Sequence, residues 1–170
     1  MKKILSVLTL GISMSFFNMN ALSVGDKAPD FSLRDQDGNI RTLSEFRGSC
    51  VVLYFYPKDD TPGCTKEACG LRDSFDDFKK QGIAILGINY DSPKTHKAFK
   101  AKYHLPFILL SDAKKSVAKK YGAKSWLPLM PSRMTFVIDP DGIICAILPK
   151  VDVATHAAKV LALINGQKTK

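Results

Sequence analysis

Two cysteines, Cys64 and Cys69, lie five residues apart directly after the stretch Thr61-Pro62-Gly63. Two thiols at this spacing could form a structural disulfide, bind a metal, or hold one thiol in a reactive form. Thr61 and Pro62 are typical of a helix start, because threonine caps a first turn and proline needs no hydrogen-bond acceptor there. Cys64 then lies in the first turn, where the N–H groups and the positive end of the helix dipole favour a thiolate.

A permanent disulfide between Cys64 and Cys69 conflicts with this predicted helix. Residues five apart in a helix are separated by about 7.5 Å along the axis and point about 140° apart. The Cα atoms of a disulfide lie about 4.4 to 6.8 Å apart. The bond can therefore form only after the first turn unwinds, which favours a reactive thiol that meets its partner later.

The other cysteines and the histidines do not form a metal-binding pattern. Zinc sites use paired ligands such as Cys-x-x-Cys or histidines at helical spacing, and the four cysteines and three histidines contain no such pair. We therefore predict no metal site and no cofactor. The Cys-x-x-Cys motif of thioredoxin-type oxidoreductases is also absent.

The elements that must position these cysteines alternate between strands and helices. Cys50 to Tyr56 is a continuous apolar run, which predicts a central strand covered on both faces. Ile83 to Asn89 repeats that character after a segment of helical period, which indicates a right-handed parallel crossover. Cys64 then follows the carboxyl end of the central strand, where ligands bind in open α/β sheets. The apolar face of the intervening helical segment consists of Ala68, Leu71, Phe75 and Phe78.

The rest of the chain completes an α/β fold with a mixed sheet. Asp37-Gly38-Asn39 predicts a turn between two short strands, 31–34 and 40–43, and Asp139 to Gly142 predicts a second antiparallel turn. The remaining predicted elements are helices from Pro93 to Tyr103, from Ala113 to Tyr121 and from Asp152 or Val153 to Ile164, and strands at Phe107 to Leu110, Met134 to Ile138 and Ile143 to Leu148.

Residues 1–23 have the three parts of a secretory signal peptide. Met1-Lys2-Lys3 is basic, Ile4 to Phe17 is apolar, and Ala21-Leu22-Ser23 offers small residues for cleavage. The apolar run is shorter than the roughly 20 residues that span a bilayer, so we expect cleavage near Ser23 rather than a membrane anchor. The prediction is one domain, residues 24–170, in an exported and periplasmic protein.

The formal net charge of +9 raises the question of nucleic-acid binding. The lysines are scattered along several predicted helices, and none of their clusters is interleaved with aromatic residues as in a base-stacking surface. We therefore predict no nucleic-acid partner and interpret the lysines as solvated helix faces.

The stretch from Pro57 to Cys64 resembles the active-site pattern of the peroxiredoxins, which is proline, three residues, threonine, two residues and cysteine. The continuation from Thr65 to Cys69, followed by Arg72-Asp73, resembles the bacterioferritin comigratory protein or peroxiredoxin Q subfamily. Gly25 to Phe31 and Arg133 to Asp139 extend the similarity. The resemblance covers essentially all of residues 24–165.

This resemblance implies a thioredoxin-like fold and a thiol-dependent peroxidase that reduces hydrogen peroxide and organic hydroperoxides. Cys64 matches the peroxidatic cysteine, and Cys69 matches the resolving cysteine of members with an intramolecular disulfide. Thr61 matches the hydroxyl that orients peroxide and thiolate, Pro57 the residue that shields the pocket, and Arg133 the cation beside the sulfur. A sulfenic acid formed on Cys64 would condense with Cys69.

The predicted export affects the identity of the reductant, because members of this family are mostly expected in the cytosol, where thioredoxin reduces them. We expect a periplasmic thioredoxin-like protein instead. An intramolecular resolving cysteine needs no partner subunit, which favours a monomer. Two alternatives stay open at this point: an exported thiol–disulfide oxidoreductase, and a non-catalytic redox-sensing module.

The remaining candidate residues have structural interpretations. Cys50 and Cys145 are predicted to be buried thiols, with a second disulfide as the alternative in an oxidising compartment. Trp126, before Arg133, could form a wall of the active-site pocket or simply pack. The three histidines are predicted to lie on the surface: His96, His104 and His156.

Overall fold

The structure, a computed structural model, describes residues 21–168. The described residues form a seven-stranded sheet in the order β2-β1-β5-β4-β3-β6-β7. The strands are β1 (Ser32–Asp35), β2 (Ile40–Thr42), β3 (Cys50–Phe55), β4 (Ile83–Asn89), β5 (Ile108–Ser111), β6 (Met134–Ile138) and β7 (Ile144–Leu148). The predicted signal peptide lies almost entirely outside the described part of the chain and stays a prediction.

The sheet is mixed, as the sequence predicts. Strand β3 pairs in parallel with β4, and β4 pairs in parallel with β5, which confirms the predicted parallel crossover. The predicted hairpins β1–β2 and β6–β7 are both antiparallel. Strand β6 runs antiparallel beside β3, with Met134 opposite Phe55. The residue before β6 is therefore held beside the carboxyl end of β3.

Helices cover both faces of the sheet. They are α1 (Pro62–Asp73), α2 (Phe75–Lys80), α3 (Pro93–Lys102), α4 (Ser116–Lys120) and α5 (His156–Lys168). Side chains from α1, α2, α3 and α5 pack with Val52 and Tyr54 of β3 on one face. Helix α4 and the segment before β1 pack with Leu53 and Phe55 on the other. The burial of β3 on both faces explains why its sequence is a continuous apolar run.

Two predicted helix boundaries, at the end of α1 and the start of α4, are wrong, and each is set by a local contact. The predicted segment through Ala68 and Phe78 is broken at Ser74, whose N–H bonds back to Gly70 and closes α1. Helix α4 begins at Ser116 rather than Ala113, because the Asp112 carboxylate accepts the N–H groups of its first turn.

The last helix, α5, also begins later than the sequence suggests. It starts at His156 rather than at Asp152 or Val153. The Asp152 carboxylate accepts the N–H of Ala154 at 2.9 Å and forms a turn before the helix. No helix among the described residues is long and apolar enough to cross a bilayer.

Candidate active site

Cys64 lies in the first turn of α1, just after the carboxyl end of β3, as predicted. Its side chain is only 2% exposed. Pro62 is the first helical residue, and Thr61 is the N-terminal cap residue with extended backbone angles. The Thr61 hydroxyl does not cap the helix, contrary to expectation: it donates to the carbonyl oxygen of Lys58 at 3.1 Å. The hydroxyl therefore does not occupy the first-turn N–H groups.

Arg133 is brought to Cys64 by the sheet, because it directly precedes β6. Its Nη2 donates a hydrogen bond to the Cys64 Sγ at 3.2 Å. The guanidinium thus places a positive charge directly against the sulfur, where it stabilises a thiolate. The structure therefore brings Arg133, predicted from the resemblance alone, together with Cys64.

Glu67 is a site residue that the sequence analysis missed. It lies on α1, one turn after Cys64, and is only 1% exposed. The Arg133 Nη1 donates a short hydrogen bond to the Glu67 Oε2. Burial on its own lowers the pKa of Arg133, but the nearby Glu67 and Cys64 groups outweigh it, so the pKa lies above its usual value. The clue in the sequence was a charged residue next to Ala68, on the apolar face of the helix.

His156 was predicted to lie on the surface, and this prediction is wrong. The ring is 2% exposed and lies at the start of α5. Its Nδ1 is 3.1 Å from the Glu67 Oε1, at an angle outside regular hydrogen-bond geometry. Its Nε2 shares a 2.9 Å hydrogen bond with the Thr135 hydroxyl on β6. A chain of polar contacts thus runs from Cys64 through Arg133 and Glu67 to His156.

His96 is also buried, which contradicts the surface prediction, whereas His104 is exposed as expected. The His96 Nδ1 is 2.8 Å from the Asp59 Oδ2. The Asp59 Oδ1 accepts from the Tyr56 hydroxyl at 2.7 Å and from the Asn89 amide at 2.9 Å. These contacts fix the loop between β3 and α1 against the sheet.

The neighbouring residue Asp60 fixes the same loop from the outside. Its carboxylate accepts from the Lys102 Nζ at 2.7 Å and from the Tyr103 hydroxyl at 2.6 Å. Pro57 lies partly buried at the start of this loop, and its predicted shielding role stays a prediction. The loop that leads into the first turn of α1 is therefore held on two sides.

Cys69 lies on the same helix as Cys64 and is partly exposed. The two cysteines are not joined in a disulfide. An intact helix keeps residues five apart too far from each other and facing different directions. The structure therefore holds the pair in the helical arrangement that the sequence predicts.

Cys50 and Cys145 lie away from Cys64, at the opposite end of β3, where both line a cavity of about 400 Å³. Both are partly exposed rather than buried, which corrects that prediction. They belong to β3 and β7, which lie on either side of β6. Strands two apart are separated by about 9.6 Å, beyond the Cα separation of a disulfide. This arrangement does not allow a direct bond between them.

Trp126 is 90% exposed, so the interpretation that it simply packs is wrong. Leu127 and Leu129 in the same loop are also exposed.

Within the described residues, no cluster of three or more histidine, cysteine or acidic side chains is arranged to hold a metal ion.

Comparison with known proteins identifies the family. The sequence matches the AhpC/TSA family over residues 24–147. The chain belongs to the AhpC/TSA family. It is 47% identical to peroxiredoxin bcp of Coxiella burnetii, over 83% of this chain and 97% of that protein. It is 51% identical to peroxiredoxin Q of rice chloroplasts over 72% of this chain, but spans only 57% of that relative's length.

Solved structures of the AhpC/TSA family share the fold. Peroxidoxin BcpB from Mycobacterium tuberculosis is 36% identical, with a TM-score of 0.78 over 84% of this chain and 96% of that one. The bacterioferritin comigratory protein of Xanthomonas campestris, described for its alkyl peroxide reduction activity, is 35% identical, with a TM-score of 0.76 over 81% and 91% of the two chains. The thioredoxin-like fold and the peroxiredoxin resemblance are confirmed. The protein is a thiol-dependent peroxidase of the bacterioferritin comigratory protein or peroxiredoxin Q type, and the alternative functions are not favoured.

Proposed function

We propose that this peroxidase uses Cys64 as the peroxidatic cysteine and Cys69 as the resolving cysteine of an intramolecular disulfide. The observation that carries the assignment is the contact between the Arg133 Nη2 and the Cys64 Sγ at 3.2 Å, in the first turn of a helix. Cys69, by contrast, lies in the second half of α1, away from the first-turn N–H groups.

In the first step, the Cys64 thiolate attacks one oxygen of the peroxide. A sulfur–oxygen bond forms, the oxygen–oxygen bond breaks, and the other oxygen leaves as an alkoxide or hydroxide that takes a proton. The thiol is oxidised to a sulfenic acid. Arg133 and the first-turn N–H groups stabilise the thiolate and the negative charge that develops on the leaving oxygen. The hydroxyl of Thr61, beside the sulfur-bearing turn, orients the peroxide.

In the second step, the Cys69 thiol attacks the sulfenic sulfur of Cys64. The disulfide forms and the sulfenic oxygen leaves as water. The peroxide has already received both electrons in the first step, so this step only shares the oxidation between the two sulfur atoms. Because both cysteines lie on α1, the start of this helix must unwind before the sulfur atoms can meet. An external dithiol then reduces the disulfide by exchange.

The substrates are hydrogen peroxide and organic hydroperoxides. The similarity to a Xanthomonas campestris protein described for alkyl peroxide reduction supports the second class. Pro62 is exposed and Gly63 is partly exposed, directly before Cys64, which supports access for a small peroxide.

The test is to treat the reduced protein with one equivalent of hydrogen peroxide, time the loss of thiols, and map the products by peptide mass spectrometry. We expect rapid formation of a Cys64–Cys69 disulfide. The Cys64→Ser variant should not react, and Cys69→Ser should accumulate sulfenic or sulfinic acid on Cys64. Slow oxidation of all four cysteines at similar rates would contradict the assignment.

The predicted signal peptide at residues 1–23 leads to a proposal about location and reductant. We place the mature protein in the periplasm, as a monomer reduced by a thioredoxin-like protein there. Cell fractionation of an epitope-tagged copy, with sequencing of its N-terminus, tests this. Unprocessed protein in the cytosol would overturn the export proposal, and a dimer in sedimentation would overturn the monomer.

A further inference from the structure

Glu67 lies between the two reacting cysteines and is held by residues from outside α1. Its Oε2 accepts from Arg133, and its Oε1 lies 3.1 Å from the His156 Nδ1. Among the described residues, the Oε1 atom makes no regular hydrogen bond. Since the carboxyl is only 1% exposed, the contact from His156 offsets part of the cost of burying it.

His156 is itself fixed by two other elements of the fold. Its Nε2 shares the 2.9 Å hydrogen bond with Thr135 on β6, and the Tyr54 ring of β3 lies 6.2 Å away between centroids. The buried ring therefore has little room to follow Glu67 if that residue moves. The contact between His156 and Glu67 exists only while α1 is folded against α5 and β6.

The resolving step requires this contact to break. Cys64 and Cys69 cannot join while the helix between them is intact, and Glu67 lies within the segment that must unwind. When the segment unwinds, the Glu67 carboxyl leaves its position between Arg133 and His156. Each contact it makes in the folded helix therefore opposes disulfide formation.

We propose that His156 is a positioning residue for the resolving step: through Glu67, it holds α1 in the helical form and so sets how long oxidised Cys64 waits before Cys69 reaches it. The proposal rests on the assignment of Cys64 and Cys69 given above. It adds a residue on the last helix, outside the motif around the cysteines, to the control of that step.

The contact between His156 and Glu67 affects which product forms, because the sulfenic acid on Cys64 can react in two ways. It can condense with the Cys69 thiol, which yields the disulfide and water. It can also react with a second peroxide, which yields a sulfinic acid and one molecule of water or alcohol. A longer-lived helical form favours the second reaction. Weakening the contact from His156 should therefore make the protein more resistant to overoxidation.

Two substitutions test the contacts of the two His156 ring nitrogens separately. His156→Asn places an amide nitrogen near the position of Nδ1 and retains a donor toward Glu67. His156→Gln places its amide near Nε2, toward Thr135, and leaves Glu67 without the contact. His156→Ala removes both. The asparagine and glutamine variants are matched in polarity, which keeps the comparison valid if alanine does not fold.

The experiment oxidises each reduced full-length variant with one equivalent of hydrogen peroxide, quenches at intervals, and measures sulfenic acid and disulfide by mass spectrometry. A second measurement finds the peroxide concentration at which half of Cys64 becomes sulfinic acid during turnover with dithiothreitol. For His156→Gln we expect disulfide formation about fivefold faster and a threshold about fivefold higher, equivalent to about 1 kcal/mol for one lost buried contact. His156→Asn should stay within twofold of the parent.

A control separates this role from a general loss of stability. In a Cys69→Ser background no resolving reaction competes, so His156→Gln and His156→Asn should become sulfinic at the same peroxide concentration. A difference there would place His156 in the peroxide step and overturn the proposal. Equal disulfide rates in the parent, asparagine and glutamine proteins would also overturn it. Failure of the parent itself to form the Cys64–Cys69 disulfide would instead refute the underlying assignment.

Discussion

Replacement of Arg133 by methionine is the substitution that best tests the electrostatic account of the site. Methionine is unbranched and uncharged, so it removes both the contact to the Cys64 Sγ and the ion pair with Glu67. The guanidinium therefore has two separable effects, one on the rate of thiol oxidation and one on the free energy of unfolding.

The expected effect on rate follows from the distance between charge and sulfur. Two unit charges separated by the observed 3.2 Å interact by about 5 kcal/mol at an effective dielectric constant of about 20. This value is a ceiling, because the guanidinium charge is shared among several atoms. Removal of one preorganised donor to a developing anion typically costs about 2.7 to 4 kcal/mol. We therefore expect Arg133→Met to slow oxidation of Cys64 by roughly 10²- to 10³-fold.

The expected effect on stability follows from the burial of Glu67. Loss of the cation leaves its carboxyl, which is 1% exposed, without the guanidinium partner, and such changes cost about 3 to 5 kcal/mol. The double variant Arg133→Met with Glu67→Gln removes both charges. It should recover most of the unfolding free energy and none of the rate.

The assay compares these variants in a Cys69→Ser background, so that only the first oxidation is observed. Stopped-flow mixing with hydrogen peroxide gives the rate, and urea unfolding gives the free energy. Arg133→Lys is the matched control, since it retains a charge but cannot reach both Glu67 and Cys64 with one ammonium. A folded Arg133→Met protein that reacts within threefold of the parent would refute the reasoning.

Three further substitutions test separate parts of the structure. Thr61→Val should slow the reaction with peroxide by about 10- to 100-fold, because it removes the hydroxyl proposed to orient the peroxide, while Thr61→Ser should react like the parent in the same stopped-flow assay. Asp59→Ala leaves several buried donors unpaired, including His96, and should lower the free energy of unfolding by at least about 3 kcal/mol; a loss below 1 kcal/mol would contradict that account. Gly87→Ala should destabilise the protein by about 1 to 3 kcal/mol in urea, because a Cβ atom there would lie 2.8 Å from the ring of Tyr54; Ala84→Gly on the same strand is the comparison for the backbone effect.

The strands were predicted well because their signal is local. The runs around β3, β4 and β6 are continuously apolar and end at polar or turn residues, so composition alone defines them. Helix ends were predicted less well, because single contacts decide them. Nothing in the apolar periodicity of 113–121 indicates that Asp112 accepts the N–H groups at the start of α4.

The active-site residues also differ in how well the sequence predicts them, according to whether their signal is local. Cys64, Cys69, Thr61 and Pro57 fall within one short motif, and the resemblance identifies them at once. His96 and His156 were misplaced because each is buried against a carboxylate that is distant in sequence: Asp59 is 37 residues away from His96. A polar flanking sequence favours exposure for a histidine, and only the three-dimensional pairing shows that burial is compensated.

The anchored loop before α1 has a consequence for competition between thiols. Because Asp59 and Asp60 fix the chain just ahead of Thr61, we expect the unwinding in the proposed resolving step to stay within the segment from Cys64 to Cys69. The oxidised sulfur therefore searches a small volume around Cys69, and a tether this short gives an effective concentration in the millimolar range. If Cys69 resolves oxidised Cys64 as proposed, we expect it to outcompete external thiols at micromolar concentration. They gain access once the disulfide has formed, which separates the capture of peroxide from the supply of electrons in time.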